Sequence, residues 1–461
     1  MLSISKMVSG KSESGDHLRY RCRPTDAGAP AGGGGTQVSG GTCASRNTHA
    51  DQGAHGCRST HVGGGACAGR GTHVSRGTHA SGSGAMGPVV VWNSTRACNL
   101  KCIHCYASAT AARDPGELTT AEARRLIDDL AEFRVPVLLF SGGEPLLRPD
   151  FYELAAYARE RGLRPVVSTN GTFITRETAW QLKETGVGYV GVSIDGIRET
   201  NDAIRGYTGA FEAALEGIRH CVAVGQRVGL RFTITRDNYR EIDTIFDLVE
   251  AEEVNRVCFY HLVYSGRGSR LVEQDLPPEE KRAVLDRIYD RTADLFERGL
   301  EKEILTVDNH ADAPYIYLRL QREQPERAAQ VWEWLRMSGG NRSGIAIGAV
   351  DWYGNVHPDQ FTMNHDLGNV RERKFGEIWT DTGHPIMAGL KNRRPLLQGR
   401  CAACRWLEIC NGNFRPRAEA VSGDFWAADP ACYLTEAEIQ PEKGARPLFH
   451  REDRKAALPR V

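Results

Sequence analysis

Cys98, Cys102 and Cys105 stand within Cys-Asn-Leu-Lys-Cys-Ile-His-Cys-Tyr, directly after the apolar run 88–92. Three thiolates can hold a [4Fe-4S] cube and leave one iron open to a reactive ligand. With His104 between them they could also bind zinc, or sit as buried thiols. Attachment of a c-type haem needs Cys-x-x-Cys-His; here Cys105 is followed by Tyr106, which removes that reading. A second group, Cys401, Cys404, Cys410 and Cys432, is a close pair, a third thiol nearby and a distant fourth. Four thiolates so arranged can enclose a metal site completely, and zinc satisfies that geometry as well as iron–sulfur does.

The elements that must present these residues can be read from hydrophobic periodicity. Short apolar runs predict strands at 89–92, 135–140, 165–169, 189–194, 228–234 and 257–261. Amphipathic stretches predict helices near 120–133, 150–162, 176–185, 210–224 and 239–252, the first opened by a Thr119/Glu122 capping box. Such alternation specifies an α/β fold with a parallel sheet and right-handed crossovers, and six units suit an open, partial (β/α)6 barrel. Ligands of parallel α/β folds collect at the C-terminal ends of the strands. Three polar motifs fall there: Ser141-Gly142-Gly143-Glu144-Pro145, Ser168-Thr169-Asn170-Gly171-Thr172, and Ser193-Ile194-Asp195-Gly196 with Arg205 beyond it. Glycine permits close backbone approach, a carboxylate accepts from an ammonium, and an Arg fork matches a carboxylate. Each motif alone is ordinary turn chemistry; their succession after consecutive strands carries the information.

Composition sets bounds. The 461 residues can build one large domain and one or two smaller ones. Lys plus Arg equals Asp plus Glu at 58 each, so no global field favours nucleic acid or an anionic membrane. The apolar runs are too short to span a bilayer and the first 20 residues lack the apolar core of a secretory signal, so a cytoplasmic location is expected. Seven of the 13 cysteines fall in two spaced groups, which fits metal ligation in a reducing compartment better than a disulfide framework. Residues 23–86 are rich in Gly, Ser, Thr, Ala and His, with near-repeats ending in Thr-His, and lack the apolar content to fold alone. The expected organisation is an extension over 1–22, a disordered linker over 23–86 and a barrel over 87–300. A bridging region over 301–400, a cysteine-bearing domain over 401–440 and a tail over 441–461 follow.

Taken together, the C-x3-C-x2-C loop, the Gly-Gly-Glu-Pro turn and the later strand-end motifs resemble the radical S-adenosylmethionine (SAM) superfamily. That resemblance implies a [4Fe-4S] cluster on Cys98, Cys102 and Cys105, whose open iron is chelated by SAM. It implies cofactor contacts at Tyr106, Gly142, Gly143, Glu144, Ser168, Asn170, Ser193, Asp195 and Arg205, with Glu144 facing the SAM amino group. The second cysteine group resembles the auxiliary-cluster (SPASM or twitch) domain, an α+β unit that follows many of these barrels. One auxiliary [4Fe-4S] cluster on Cys401, Cys404, Cys410 and Cys432 is implied rather than two, because Asp359 and Phe414 stand where further cysteines would be expected.

Segments near the start, at 92–96, 259–268, 307–312 and 410–415, resemble a narrower group that trims side chains from modified tetrapyrroles. Within it the chain is most similar to the didecarboxysiroheme deacetylases of haem biosynthesis. The NirJ family, which removes propionates on the d-type haem route, comes next. The implied reaction removes two acetate side chains from didecarboxysiroheme to give iron-coproporphyrin III, with ferredoxin or flavodoxin as electron donor and neither nucleic acid nor membrane as partner. His261 and His310 are the candidate catalytic or axial imidazoles, and Tyr264, Arg267, Asn309, Asp312, His357 and Asp359 are further candidate substrate contacts. A radical SAM peptide maturase and a non-catalytic zinc protein are the alternative readings.

Overall fold

The apolar runs along 89–261 are consecutive strands of one sheet. The computed structural model describes residues 1–11 and 86–440, so the linker expected over 23–86, save Met86, and the tail over 441–461 lie outside the described residues. The strands are β1 (Leu2–Ser3), β2 (Val89–Thr95), β3 (Val137–Gly142), β4 (Arg164–Thr169), β5 (Val190–Ser193), β6 (Val228–Ile234), β7 (Arg256–His261), β8 (Glu303–Val307), β9 (Ile347–Val350) and β10 (Val356–His357). Their order is β1-β8-β7-β6-β5-β4-β3-β2-β9-β10. From β2 to β8 every neighbouring pair is parallel. β9 adds parallel to the free edge of β2, β10 folds back on β9, and β1 lies antiparallel on β8. The two ends of the sheet do not pair with each other, so the barrel is open.

The six expected strands are β2 to β7, with ends shifted by a few residues. Four more extend the sheet. β1 and β10 are two residues each, too short for an alternation to register. The crossover helices begin where local chemistry allows. Thr119 accepts from the Glu122 backbone N–H while Glu122 answers to Thr119, the reciprocal cap that starts Thr120–Glu132. Gly186, in the left-handed region, ends Arg176–Thr185.

Aromatic side chains from strands and helices fill the layer between them. Trp92 and Phe140 lie 5.4 Å apart, Phe140 and Phe151 5.3 Å, and Phe246 stacks on Phe259 at 5.4 Å. Each such burial is worth about 1.5–3 kcal/mol. Cys221 and Cys258, outside the two groups, are buried in the core. Past β10 the chain forms short helices, of which Arg415–Ser422 is bolted to the strand ends. The Arg417 guanidinium pairs with Asp429 at 2.9 Å and donates to the Leu262 carbonyl at 3.1 Å and the Asp308 carbonyl at 2.6 Å. Among the described residues no helix is long and apolar enough to cross a membrane.

Candidate active site

The loop after β2 carries Cys98, Cys102 and Cys105, and the ends of later strands grip it. Lys101 N–H donates to the Arg205 carbonyl at 3.2 Å, Ile103 N–H to Ile204 at 2.9 Å, and Arg267 N–H to Cys105 at 2.9 Å. The Arg267 side chain adds bonds to the carbonyls of Cys102 (2.8 Å) and Ala109 (2.9 Å). N–H groups also face the sulfurs: Leu100 N at 3.4 Å and Asn170 Nδ2 at 3.9 Å from Cys98 Sγ, and Arg205 Nη1 at 3.6 Å from Cys102 Sγ. Burial pushes the Cys98 thiol up to about 12 and raises Cys102 as well. Donors aimed at sulfur in a buried setting suit thiolates that a bound cation holds in that state.

The Gly-Gly-Glu turn follows β3 and locks onto the same loop. Gly143 N–H donates to Thr95 at 2.7 Å and Glu144 N–H to Ala97 at 2.7 Å. A Cβ on Gly143 would lie 2.0 Å from the Ala97 carbonyl oxygen, so no other residue fits. The Glu144 carboxylate is fully buried and already satisfied: Thr169 Oγ1 and Asn170 N–H donate to it at 2.8 Å each, and Leu146 N–H at 3.1 Å. Burial pushes its carboxyl up to about 7 against the pull of those bonds. These bonds make Glu144 the tie between the end of β3 and the end of β4.

Asp195 organises the next sector. Its carboxylate pairs with Arg205, lies 2.7 Å from His104 Nε2, and accepts from Thr233 N–H at 2.6 Å. Burial works to raise its pKa, yet Arg205 and His104 prevail and hold it below the usual carboxylate range. Tyr106 OH bonds Asn93 Oδ1 at 2.9 Å and lies 2.8 Å from Ser141 Oγ; burial pushes this phenol up to about 12.

These groups surround a cavity of about 170 Å³. Cys98, Cys102, Cys105, Tyr106, Gly142, Gly143, Ser168, Asn170, Ser193, Arg205 and His261 all line it; Glu144, Asp195 and His310 do not. Tyr106 and Phe361, 5.0 Å apart edge to face, also line a neighbouring alcove of about 560 Å³. Its other walls include Tyr264, Met363 and Pro416. A further cavity of about 500 Å³ opens at the opposite ends of β5 to β8, around Arg227, Arg256 and Lys302, far from the cysteines in the sheet. We assign the site to the smaller cavity because the polar motifs converge there. Sequence reasoning missed Arg231, Tyr260, Asp308 and Phe361, all on the cavity wall, and the pairing of His104 with Asp195.

The candidate substrate contacts divide. His261 Nε2 lies 3.0 Å from Asp312 Oδ2, whose other oxygen accepts from Tyr433 OH at 2.7 Å. Tyr264 OH donates to Asp275 at 2.6 Å, and Arg267 holds the cysteine loop. The His310 backbone N–H donates to Asn413, and Asn309 reaches the Ala431 carbonyl at 3.0 Å. Away from the cavity, His357 Nδ1 lies 2.9 Å from the His365 carbonyl oxygen and Asp359 caps the turn at Phe361 and Thr362.

Cys401, Cys404, Cys410 and Cys432 form the second convergence. Cys410 lies within electrostatic reach of the other three, and burial raises all four thiols. Arg415 and Arg400 face this group and pull Cys401 down. Asp359 and Phe414 are both buried and bring no thiol. Among the described residues, no three His, Cys, Asp or Glu side chains gather as a single metal ion requires.

Comparison with known proteins bears on this geometry. Residues 92–249 match the family model of the Radical SAM superfamily. Over 355 residues the chain is 61% identical to the Fe-coproporphyrin III synthase of Methanosarcina barkeri (strain Fusaro / DSM 804), covering 76% of this chain and 89% of that one. It is 44% identical to the pre-heme d1 synthase of Dinoroseobacter shibae, covering 77% and 88%. Among solved structures, Streptococcus suis SuiB bound to the precursor peptide SuiA superposes with a TM-score of 0.60 at 17% identity, covering 76% of each chain. That likeness speaks for the fold alone.

Proposed function

The chain belongs to the radical SAM superfamily, and from that premise we propose that it removes two acetate side chains from didecarboxysiroheme, giving iron-coproporphyrin III in haem biosynthesis. The observation that carries this reading is the convergence of three loop cysteines, the Gly-Gly-Glu turn and the Asp195–Arg205 pair on one cavity that adjoins an aromatic alcove. Cys98, Cys102 and Cys105 would hold a [4Fe-4S] cluster; Tyr106, Gly142, Gly143, Ser168, Asn170, Ser193 and Arg205 would contact SAM. Glu144 and Asp195 act through their neighbours, fixing the β4 end and the Arg205 fork. Cluster and SAM, when bound, supply radical chemistry that this chain's side chains cannot.

Size supports a bulky second ligand. Ligand pockets usually measure about 300–1,000 Å³. The cysteine-lined cavity falls below that range and the alcove within it, and Tyr106, Tyr264 and Phe361 put aromatic rings among the alcove walls. His261, positioned by Asp312, stands on the cavity wall where it can address substrate. His310, held through its backbone to Asn413, is placed second. We assign an auxiliary [4Fe-4S] cluster to Cys401, Cys404, Cys410 and Cys432, and a small iron–sulfur or flavin protein, of the ferredoxin or flavodoxin kind, as the electron source. The stronger identity to the Fe-coproporphyrin III synthase than to the pre-heme d1 synthase favours acetate loss over propionate loss.

Substrate dependence of SAM cleavage tests the reading. Reconstituted protein with a strong reductant should form 5'-deoxyadenosine faster when didecarboxysiroheme is present, approaching two equivalents per tetrapyrrole. Cleavage indifferent to the tetrapyrrole would sink it.

A further inference from the structure

Three arginines line the cysteine-lined cavity, and two have evident employment. Arg205 is neutralised by Asp195, and Arg267 spans the carbonyls of Cys102 and Ala109. Arg231 has no acidic partner among the described residues. Its Nη1 donates to Ser168 Oγ, its guanidinium lies 5.3 Å from the centre of the Tyr260 ring, and its buried Nε has no acceptor. Of the nearby carboxylates, Asp195 is engaged by Arg205, His104 and Thr233, and Glu144 by Thr169 and Asn170; Asp308, on the same wall, keeps a buried Oδ2 without a hydrogen-bond partner and forms no ion pair with Arg231.

The surroundings make room for this cation. Along β6, Leu230, Phe232 and Ile234 are buried while Arg231 and Thr233 between them line the cavity, so strand alternation points Arg231 inward. On the adjacent strand β5, a Cβ at Gly191 would stand 3.0 Å from both Cδ and Nε of Arg231; the missing side chain leaves space for the arginine stem. A guanidinium largely removed from water and lacking an anion is costly, and a planar carboxylate is its best complement.

We propose that Arg231 anchors a carboxylate of the substrate, fixing an acidic ring side chain between the SAM-contacting end of β4 and the Tyr260–His261 end of β7. This rests on the tetrapyrrole reading, whose substrate carries several carboxylates around an apolar ring. Arg231 is thus a specificity residue: it selects the free acid over a neutral analogue of the same shape. A purely structural arginine, bridging Ser168 and Tyr260, would make no such distinction.

The test titrates anaerobic, cluster-reconstituted protein in the presence of SAM with didecarboxysiroheme and, separately, with its fully methyl-esterified form, following the tetrapyrrole absorbance. The wild type should bind the acid well ahead of the ester. Arg231→Gln should weaken the acid roughly 30-fold and the ester less than twofold, and Arg231→Lys should recover part of the loss. Ester binding by the Gln variant also reports that the pocket has folded. Equal losses for acid and ester would overturn the anchor, as would a fall in SAM affinity with the acid-to-ester ratio unchanged. If the wild type binds neither form, the tetrapyrrole reading fails and the anchor with it.

Discussion

Asp195→Asn removes one negative charge from the centre of the site while keeping side-chain volume. The carboxylate is fully buried, holds the buried Arg205 guanidinium, and meets His104 Nε2 and Thr233 N–H at 2.7 and 2.6 Å. Asn retains one oxygen for Thr233, so the loss falls on Arg205, stranded beside Cys102. Leaving one partner of a buried pair uncompensated costs about 3–5 kcal/mol. Asp195→Asn combined with Arg205→Met strands neither charge, so the double variant should recover about 2–3 kcal/mol relative to the sum of the singles. Because Arg205 and His104 hold the folded Asp195 below its unfolded value of 3.8, its contribution is complete above about pH 4 and lost only as pH falls through the depressed value. The assay is urea unfolding of reconstituted protein, followed by tryptophan fluorescence. A single variant within about 1 kcal/mol of wild type, or a double variant costing the full sum, would refute the reasoning.

Three other perturbations follow from the same geometry. Gly143→Ala must push the turn away from the Ala97 carbonyl, breaking the 2.7 Å bonds at Gly143 and Glu144; equilibrium dialysis should find SAM affinity at least tenfold lower, and unchanged affinity would count against the cradle. Glu144 titrates near 7 in the folded chain against 4.5 unfolded, so its contribution is complete below 4.5 and drains away as pH rises through 7. Glu144→Gln lacks that loss, so its unfolding free energy should gain roughly 2 kcal/mol on the wild type between about pH 5.5 and 8. Cys432→Ala should halve bound iron from about eight to about four per chain, measured by iron and sulfide analysis; undiminished iron would remove Cys432 from the ligand set.

The legible parts of this protein are those written in adjacent residues. Strands β2 to β7 declare themselves because each carries enough consecutive apolar side chains, and the cysteine loop, the Gly-Gly-Glu turn and Ser193–Asp195 are local motifs. What escaped depends on distance and direction. Arg231 reads as one charge inside an apolar strand; its entry into the cavity depends on strand parity and on the empty space at Gly191, 40 positions earlier. His104 and Asp195 meet across 91 positions, and nothing in either segment announces the other. Glu144 was legible as a conspicuous carboxylate at a strand end, but its burial against Thr169 and Asn170 required the register of β3 with β4. Phe361 lies in a turn without periodicity, and its place beside Tyr106 comes from the β9–β10 hairpin.

The central claim is acetate removal from a tetrapyrrole, and mass spectrometry of the tetrapyrrole after anaerobic turnover tests it most directly. Reconstituted protein, SAM, a strong reductant and didecarboxysiroheme should yield a product lighter by two acetate groups, with the mass of iron-coproporphyrin III. Loss of propionates instead, or an untouched macrocycle despite SAM cleavage, would contradict the account.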